Sequence, residues 1–207
     1  MNWQEELYKR LEKGEHKIRP INTFSCWYAG YCQRQIYLSK LNLKKTPHYV
    51  LGAMAVGTAI HHFIEDLFSE IQKEVPFTFK DKKRDIIVNG YLDGLTKGEV
   101  IEYKSTSSLK YVTEEPKEEH IAQATLYMKG KKRKKATIIY FRKTDFKMIS
   151  HSIEFDKGLY DSIIDKYADV KEAIKIVPSP RTEEEVPFMK CGCYLCKNER
   201  LDFPIRL

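Results

Sequence analysis

The chain predicts an α/β fold, with a mixed central sheet flanked by helices. Three observations carry that expectation. Residues 77–103 contain short β-branched and aromatic runs separated by Gly, Asp and Lys, the pattern of consecutive strands. Stretches with apolar residues at helical spacing stand on either side of them. The resulting order is helices, three strands, a helix, two strands and a helix, and a sheet covered by helices buries those apolar stripes most simply. At 207 residues the chain suits one well-packed domain, residues 1–207, and is short for two.

In chain order, residues 2–13 form a short amphipathic helix that breaks at Gly14 before the extended Ile18-Arg19-Pro20. Asn22, Thr23 and Ser25 can each cap the next segment, and Trp27, Tyr31, Tyr37, Leu38 and Leu41 predict a helix over about 24–41. After Pro47, the stripe Met54, Ile60, Ile64, Leu67, Phe68 and Ile71 predicts a helix over about 51–73. Strands follow at Phe77–Phe79, Ile86–Leu92 and Val100–Tyr103, with Thr96-Lys97-Gly98 as a turn. Glu118–Lys129 reads as a helix, Ala136–Arg142 and Met148–Phe155 as strands joined at Lys143-Thr144-Asp145, and Lys157–Ile176 as a long closing helix. Pro178, Pro180 and Pro187 then prevent further helix and lead to a cysteine-rich end.

A net charge of +7 suits a polyanionic partner without specifying one. The run Lys129–Lys135 concentrates that charge in a turn, where it serves either solvation or phosphate contact. No apolar run reaches membrane-spanning length and the N-terminal segment lacks a signal-peptide core, so no membrane partner and a cytoplasmic location are expected. Five cysteines, grouped as Cys26 and Cys32 and then Cys191, Cys193 and Cys196, suit metal ligation in a reducing compartment better than disulfides. Oligomeric state leaves no mark in the sequence.

The segment Gly90–Lys104 carries the chemistry. Glu102 and Lys104, one residue apart on a strand, share a face while Tyr103 points away, and the intervening turn lets Asp93 approach them. Two carboxylates can hold magnesium or manganese, and an amine beside them can orient water and steady a phosphate, which is the chemistry of phosphodiester hydrolysis. The same residues on a solvated hairpin serve solubility equally well. On the preceding helix, His61 points inward, as a hydrogen-bonded core histidine or as a metal ligand, with His62 about 100° around the helix. Gln123 and Tyr127 share a helix face. Cys191, Cys193 and Cys196 form a tight thiolate group whose fourth member must be Cys26 or Cys32; zinc and a four-iron, four-sulfur (4Fe–4S) cluster both accept four cysteines.

In this order, Gly57-x-x-x-His61, Gly90-x-x-Asp93, Glu102-x-Lys104 and Gln123-x-x-x-Tyr127, with Cys32-Gln33-Arg34-Gln35-Ile36-Tyr37 before them and clustered cysteines after, resemble one family. It is the RecB-like nucleases of the CRISPR-associated Cas-four type, in the PD-(D/E)xK superfamily, and the resemblance covers about residues 18–200. It implies that His61, Asp93, Glu102 and the Tyr103 carbonyl hold manganese or magnesium. Lys104 would be the catalytic lysine, with Gln123 and Tyr127 as its supporting pair. It implies a 4Fe–4S cluster on Cys32, Cys191, Cys193 and Cys196, with residues 18–45 and 178–207 as the cluster-binding region closing around a single-stranded DNA channel. The late cysteines are more compressed than the family pattern, and Cys26 in place of Cys191 is the alternative set. The implied activity is a 5′-to-3′ DNA exonuclease with endonuclease activity, in CRISPR spacer acquisition with the integrase proteins or in viral or cellular DNA processing. Two other readings stay open: a non-catalytic, zinc-organised DNA-binding module, and a structure-selective recombination or repair nuclease.

Overall fold

The computed structural model describes residues 6, 19–68 and 70–203, so the helix expected over 2–13 lies, except for residue 6, outside the described residues. Six strands form one mixed sheet: β1 (Thr23–Ser25), β2 (Gln72–Asp81), β3 (Ile86–Leu95), β4 (Val100–Thr106), β5 (Lys135–Arg142) and β6 (Met148–Glu154). The β1–β3 and β4–β5 pairs are parallel and the others antiparallel. Within residues 19–203, the described residues form five α-helices beside them: α1 (Gln33–Lys40), α2 (His48–Leu67), α3 (Glu118–Lys131), α4 (Lys157–Ile176) and α5 (Tyr194–Lys197). No helix of the described residues is long and apolar enough to cross a membrane.

Alternation along the strands sorts the layers. Ile36 and Tyr37 of α1, Leu126 and Tyr127 of α3, and Ile164 and Tyr167 of α4 join Val88, Leu92, Val100 and Ile138 of the sheet in the main core. Ile101 and Tyr103 point the other way, into a smaller cluster with Ile64 of α2 and Phe141. Strand β4 therefore offers Glu102 and Lys104 to the α3 side and two apolar side chains to α2.

The edge of β3 positions the site. Strand β2 pairs along the whole of β3, so β1 and β4 divide the opposite edge. Strand β1 takes Ile87–Asn89 and β4 takes only Gly94 and Leu95. Gly90–Asp93 is left between them. Cys26, leaving β1, drops into that gap, and a Cβ on Gly90 would fall 2.2 Å from its Sγ. Glycine is required there by close approach.

Three boundaries differ from the sequence expectation. The helix expected over 24–41 begins only at Gln33, because Thr23–Ser25 pairs with β3 and Cys26–Tyr28 forms a 3₁₀ turn capped by Ser25 Oγ. Helix α2 stops at Leu67 rather than residue 73, since Gln72 and Lys73 enter the ladder opposite Leu95 and Gly94. Strand β2 consequently spans Pro76, tolerated because β2 is an edge strand.

The chain end is fastened to the start. Lys44 bridges Leu201, and the Lys45 amide donates to the Arg200 carbonyl at 2.9 Å. Arg34, 4 % exposed, donates to Glu199, 2 % exposed, at 2.7 Å and to the Phe188 carbonyl at 2.8 Å. Burial pushes the Glu199 carboxyl up, but bonds from Arg34 and Lys190 outweigh it and hold the pKa below the ordinary carboxylate value. The resulting stabilisation is complete above the unfolded pKa of about 4.3 and is lost as pH falls through the lower folded value.

Two outcomes are expected. Arg34→Leu strands a buried carboxylate, should cost about 3–5 kcal/mol at pH 7, and should shrink the difference in melting temperature between pH 7 and pH 4. Gly90→Ala should cost about 1–3 kcal/mol in urea unfolding, and Cys26→Ala in the same chain should recover part of it by removing the obstructing sulfur.

Candidate active site

The site begins where the β3–β4 ladder ends. The β3–β4 register, continued by one pair, sets Asp93 opposite Glu102. There the strands separate, and Asp93 Oδ2 accepts the Tyr103 amide at 2.8 Å, replacing a ladder bond. Glu102 has no exposed surface, and its Oε2 has no hydrogen-bond partner. Its Oε1 forms an ion pair with Lys104 Nζ. Lys104 in turn donates to Gln123 Oε1 at 3.1 Å, and Gln123 Nε2 donates to Tyr127 Oη at 2.5 Å. Residues from β3, β4 and α3 thus form one polar chain across the dry side of the sheet.

Electrostatics follow from burial. Desolvation, aided by repulsion from Asp93, pushes Glu102 up to about 7, against the pull of Lys104. Asp93 is likewise raised by burial. Burial works against a charged Lys104, yet Glu102 and Asp93 outweigh it and raise its pKa, so the ammonium persists. Burial and then Lys104 lower His61, leaving the neutral imidazole that a metal requires.

His61 Nδ1 lies 3.9 Å from Asp93 Oδ2, which brings α2 to the same site. Of Tyr103 only the backbone faces Asp93, because the side chain packs on Phe141. The buried Glu102 Oε2 without a partner, the Asp93 carboxylate and the neutral imidazole suit a divalent cation. His61, Asp93 and Glu102 do not close as tightly as two other groups. The ligand atoms of His62, Glu65 and Glu74, and the four sulfurs of Cys32, Cys191, Cys193 and Cys196, each lie within 4.8 Å of one another.

In the four-cysteine group, Cys32 Sγ is 3.6 Å and Cys191 Sγ 3.8 Å from Cys196 Sγ. Cys193 caps α5 through the Cys196 amide, and Gln35 Nε2 donates to Cys196 Sγ at 3.6 Å. Cys26 is not in this group. It lies buried against Gly90, where burial raises its pKa to about 11 within the fields of Glu102 and Lys104. Four thiols so placed can bind a metal centre.

Sequence reasoning assigned no site role to two neighbours of Lys104. Trp27 carries the Lys104 ammonium 5.8 Å from its ring centroid. His120, on α3, is lowered to about 3 by burial and then by Lys104 and Lys117, and its Nδ1 lies 2.7 Å from Tyr140 Oη. His120 precedes Gln123 by three residues, a helical spacing that was legible. Trp27 had no such signal, since a 3₁₀ turn and a parallel strand pairing bring it in.

No family model and no curated protein matches the sequence. Solved structures do match. The crystal structure of SSO0001 superposes with a TM-score of 0.62 at 20 % identity, over 86 % of this chain and 88 % of that one. The alkaline exonuclease LHK-Exo from Laribacter hongkongensis superposes with a TM-score of 0.55 at 17 % identity, over 76 % and 92 %. The same exonuclease in complex with dAMP gives 0.55 at 18 %, over 75 % and 89 %. The shared feature is the fold: a mixed sheet flanked by helices.

Proposed function

We propose that this chain is a manganese- or magnesium-dependent deoxyribonuclease that hydrolyses single-stranded DNA from 5′ ends, with endonuclease activity in addition. Its setting on this reading is CRISPR spacer acquisition beside the integrase proteins, or viral or cellular DNA processing. The observation that carries the reading is Glu102: a carboxylate wholly out of water between Asp93 and Lys104, with Oε1 held by the Lys104 ammonium and Oε2 without a partner. Burying such a group is costly unless it has a cationic partner. The exonuclease fold of LHK-Exo, a protein also seen with dAMP, supports the same reading.

Asp93, Glu102 and His61, with the Tyr103 carbonyl, are the residues that would hold the cation. When bound it supplies Lewis-acid polarisation of a phosphoryl oxygen and acidifies water. Lys104, kept protonated by Glu102 and Asp93, offsets charge developing on the phosphate and orients the attacking water. Gln123, anchored by Tyr127, fixes the Lys104 ammonium. The basic turn at Lys132–Lys135 and the net charge of +7 favour phosphate contact.

The four-cysteine group joins α1 to the chain end as a structural metal centre. The family resemblance implies a 4Fe–4S cluster there. A second reading, zinc, rests on sulfur separations of 3.6 and 3.8 Å, which match the edge of about 3.8 Å set by 2.3 Å zinc–thiolate bonds. Metal analysis of anaerobically purified protein decides between them: iron with acid-labile sulfide supports the cluster, and one zinc per chain supports the ion.

End-labelled single-stranded DNA incubated with manganese should be shortened by the wild type. Glu102→Ala should abolish cleavage and Lys104→Ala should slow it by about 10²–10³-fold. Oligonucleotide affinity should stay within about twofold in both, since phosphate contacts dominate binding. Undiminished cleavage by either variant would remove the assignment. Cys32→Ser should lower the bound metal measured by mass spectrometry and reduce the melting temperature, because metal binding and folding are coupled there.

A further inference from the structure

Trp27 has no part in the cleavage chemistry, and the family resemblance assigns it no role. Lys104 Nζ lies 5.8 Å from its ring centroid. Trp27 also lines a cleft of about 540 Å³ between the segment 19–54 and the chain end, along with Tyr31, Tyr49, Tyr194, Lys44 and Arg200 among others. Trp27, Tyr49 and Tyr194 are 50 %, 63 % and 70 % exposed.

The indole is held in place. Ser25 Oγ caps its 3₁₀ turn, and Nε1 donates to Tyr31 Oη at 2.8 Å. Tyr31 lies 5.9 Å from Tyr28 and carries Lys44 Nζ 5.3 Å from its ring centroid. A half-exposed aromatic plane with fixed orientation, beside cations and at the end of a cleft, is built to stack a flat ligand rather than to fill a core. Lysine and arginine around exposed tyrosines match the alternation of phosphates and bases in a single strand. A duplex keeps its bases stacked on each other and offers Trp27 none.

We infer that this cleft seats single-stranded DNA and that Trp27 stacks on the base next to the scissile phosphate, positioning that phosphate at Lys104. The inference rests on the nuclease reading above and adds its strand-selecting residue. Tyr194, which follows Cys193 in sequence, brings the end of the chain to the cleft.

The chain has two tryptophans, Trp3 and Trp27, so Trp3→Phe leaves Trp27 as the sole indole fluorophore. Anaerobically purified Trp3→Phe protein is titrated with a labelled ten-nucleotide oligo(dT), without added manganese or magnesium, reading fluorescence and anisotropy together. Trp27 emission should be quenched with the same midpoint as the anisotropy rise. An abasic strand of equal length should bind about tenfold more weakly without quenching. In the chain that keeps Trp3, Trp27→Ala should lower oligo(dT) affinity about tenfold and leave abasic affinity unchanged, while Trp27→Phe should keep most of it. Should Trp27→Ala fail to fold, the abasic comparison and Trp27→Phe carry the test.

Binding without quenching, or equal affinity for oligo(dT) and the abasic strand, would overturn the stacking role. Wild-type cleavage with manganese, measured separately, separates the two claims. Cleavage without quenching leaves the nuclease standing and removes the cleft, whereas quenching without cleavage leaves a single-strand binding cleft and removes the nuclease.

Discussion

A carboxylate and an ammonium held together almost out of water constrain everything near them. Glu102 has no exposed surface and Lys104 only 15 %, and such a pair recovers its desolvation cost only with good geometry and further polar partners. Gln123 and Tyr127 supply partners to the ammonium, and Asp93 adds a second negative charge opposite. None of these donates to Glu102, whose Oε2 has no hydrogen-bond partner. The arrangement is well satisfied on its basic end and open on its acidic end, an asymmetry that suits a site for a cation rather than a structural ion pair.

The open end exists because β3 is shared. With the β1 pairing ending at Asn89 of β3 and the β4 pairing starting at Gly94, four residues of the β3 edge have no strand beside them. Asp93 satisfies the Tyr103 amide that the ladder abandons, and Cys26 fills the space over Gly90. The chain leaving β1 therefore cannot continue as a strand. It turns at Cys26–Tyr28 and throws Trp27 over Lys104, so the ladder gap that makes room for the chemistry also determines what stands at its entrance.

The two chain ends close the other wall through chemically different fasteners. Arg34 and Glu199 form a buried ion pair, Lys44 and Leu201 pair as backbone, and the four cysteines converge from α1 and from the turn before α5. Lys44 lies in the field of Glu199 and three of the cysteines, and also reaches the Tyr31 ring. The cleft is thus bounded on one side by residues whose placement depends on the cysteine centre.

Periodicity and spacing in the sequence determined the α/β class, the order of sheet and helices, the turn at Thr96–Gly98, and the common face of Glu102 and Lys104, because these depend on backbone geometry within a few residues. The spacing of Gln123 and Tyr127 and the grouping of the late cysteines were legible for the same reason. Tertiary structure alone decided what depends on contacts between distant segments. The aromatic spacing of residues 24–41 looked helical until pairing with β3 drew Thr23–Ser25 into the sheet. Ile71 fitted the stripe of α2, yet it packs with that cluster from beyond the helix end. Cys26 and Cys32 were equivalent as thiols, and only the fold sent one to Gly90 and the other to Cys196. Trp27 is the clearest case: five residues from Cys32 but 77 from Lys104, it reaches the site because a three-residue parallel pairing ends where a glycine leaves room.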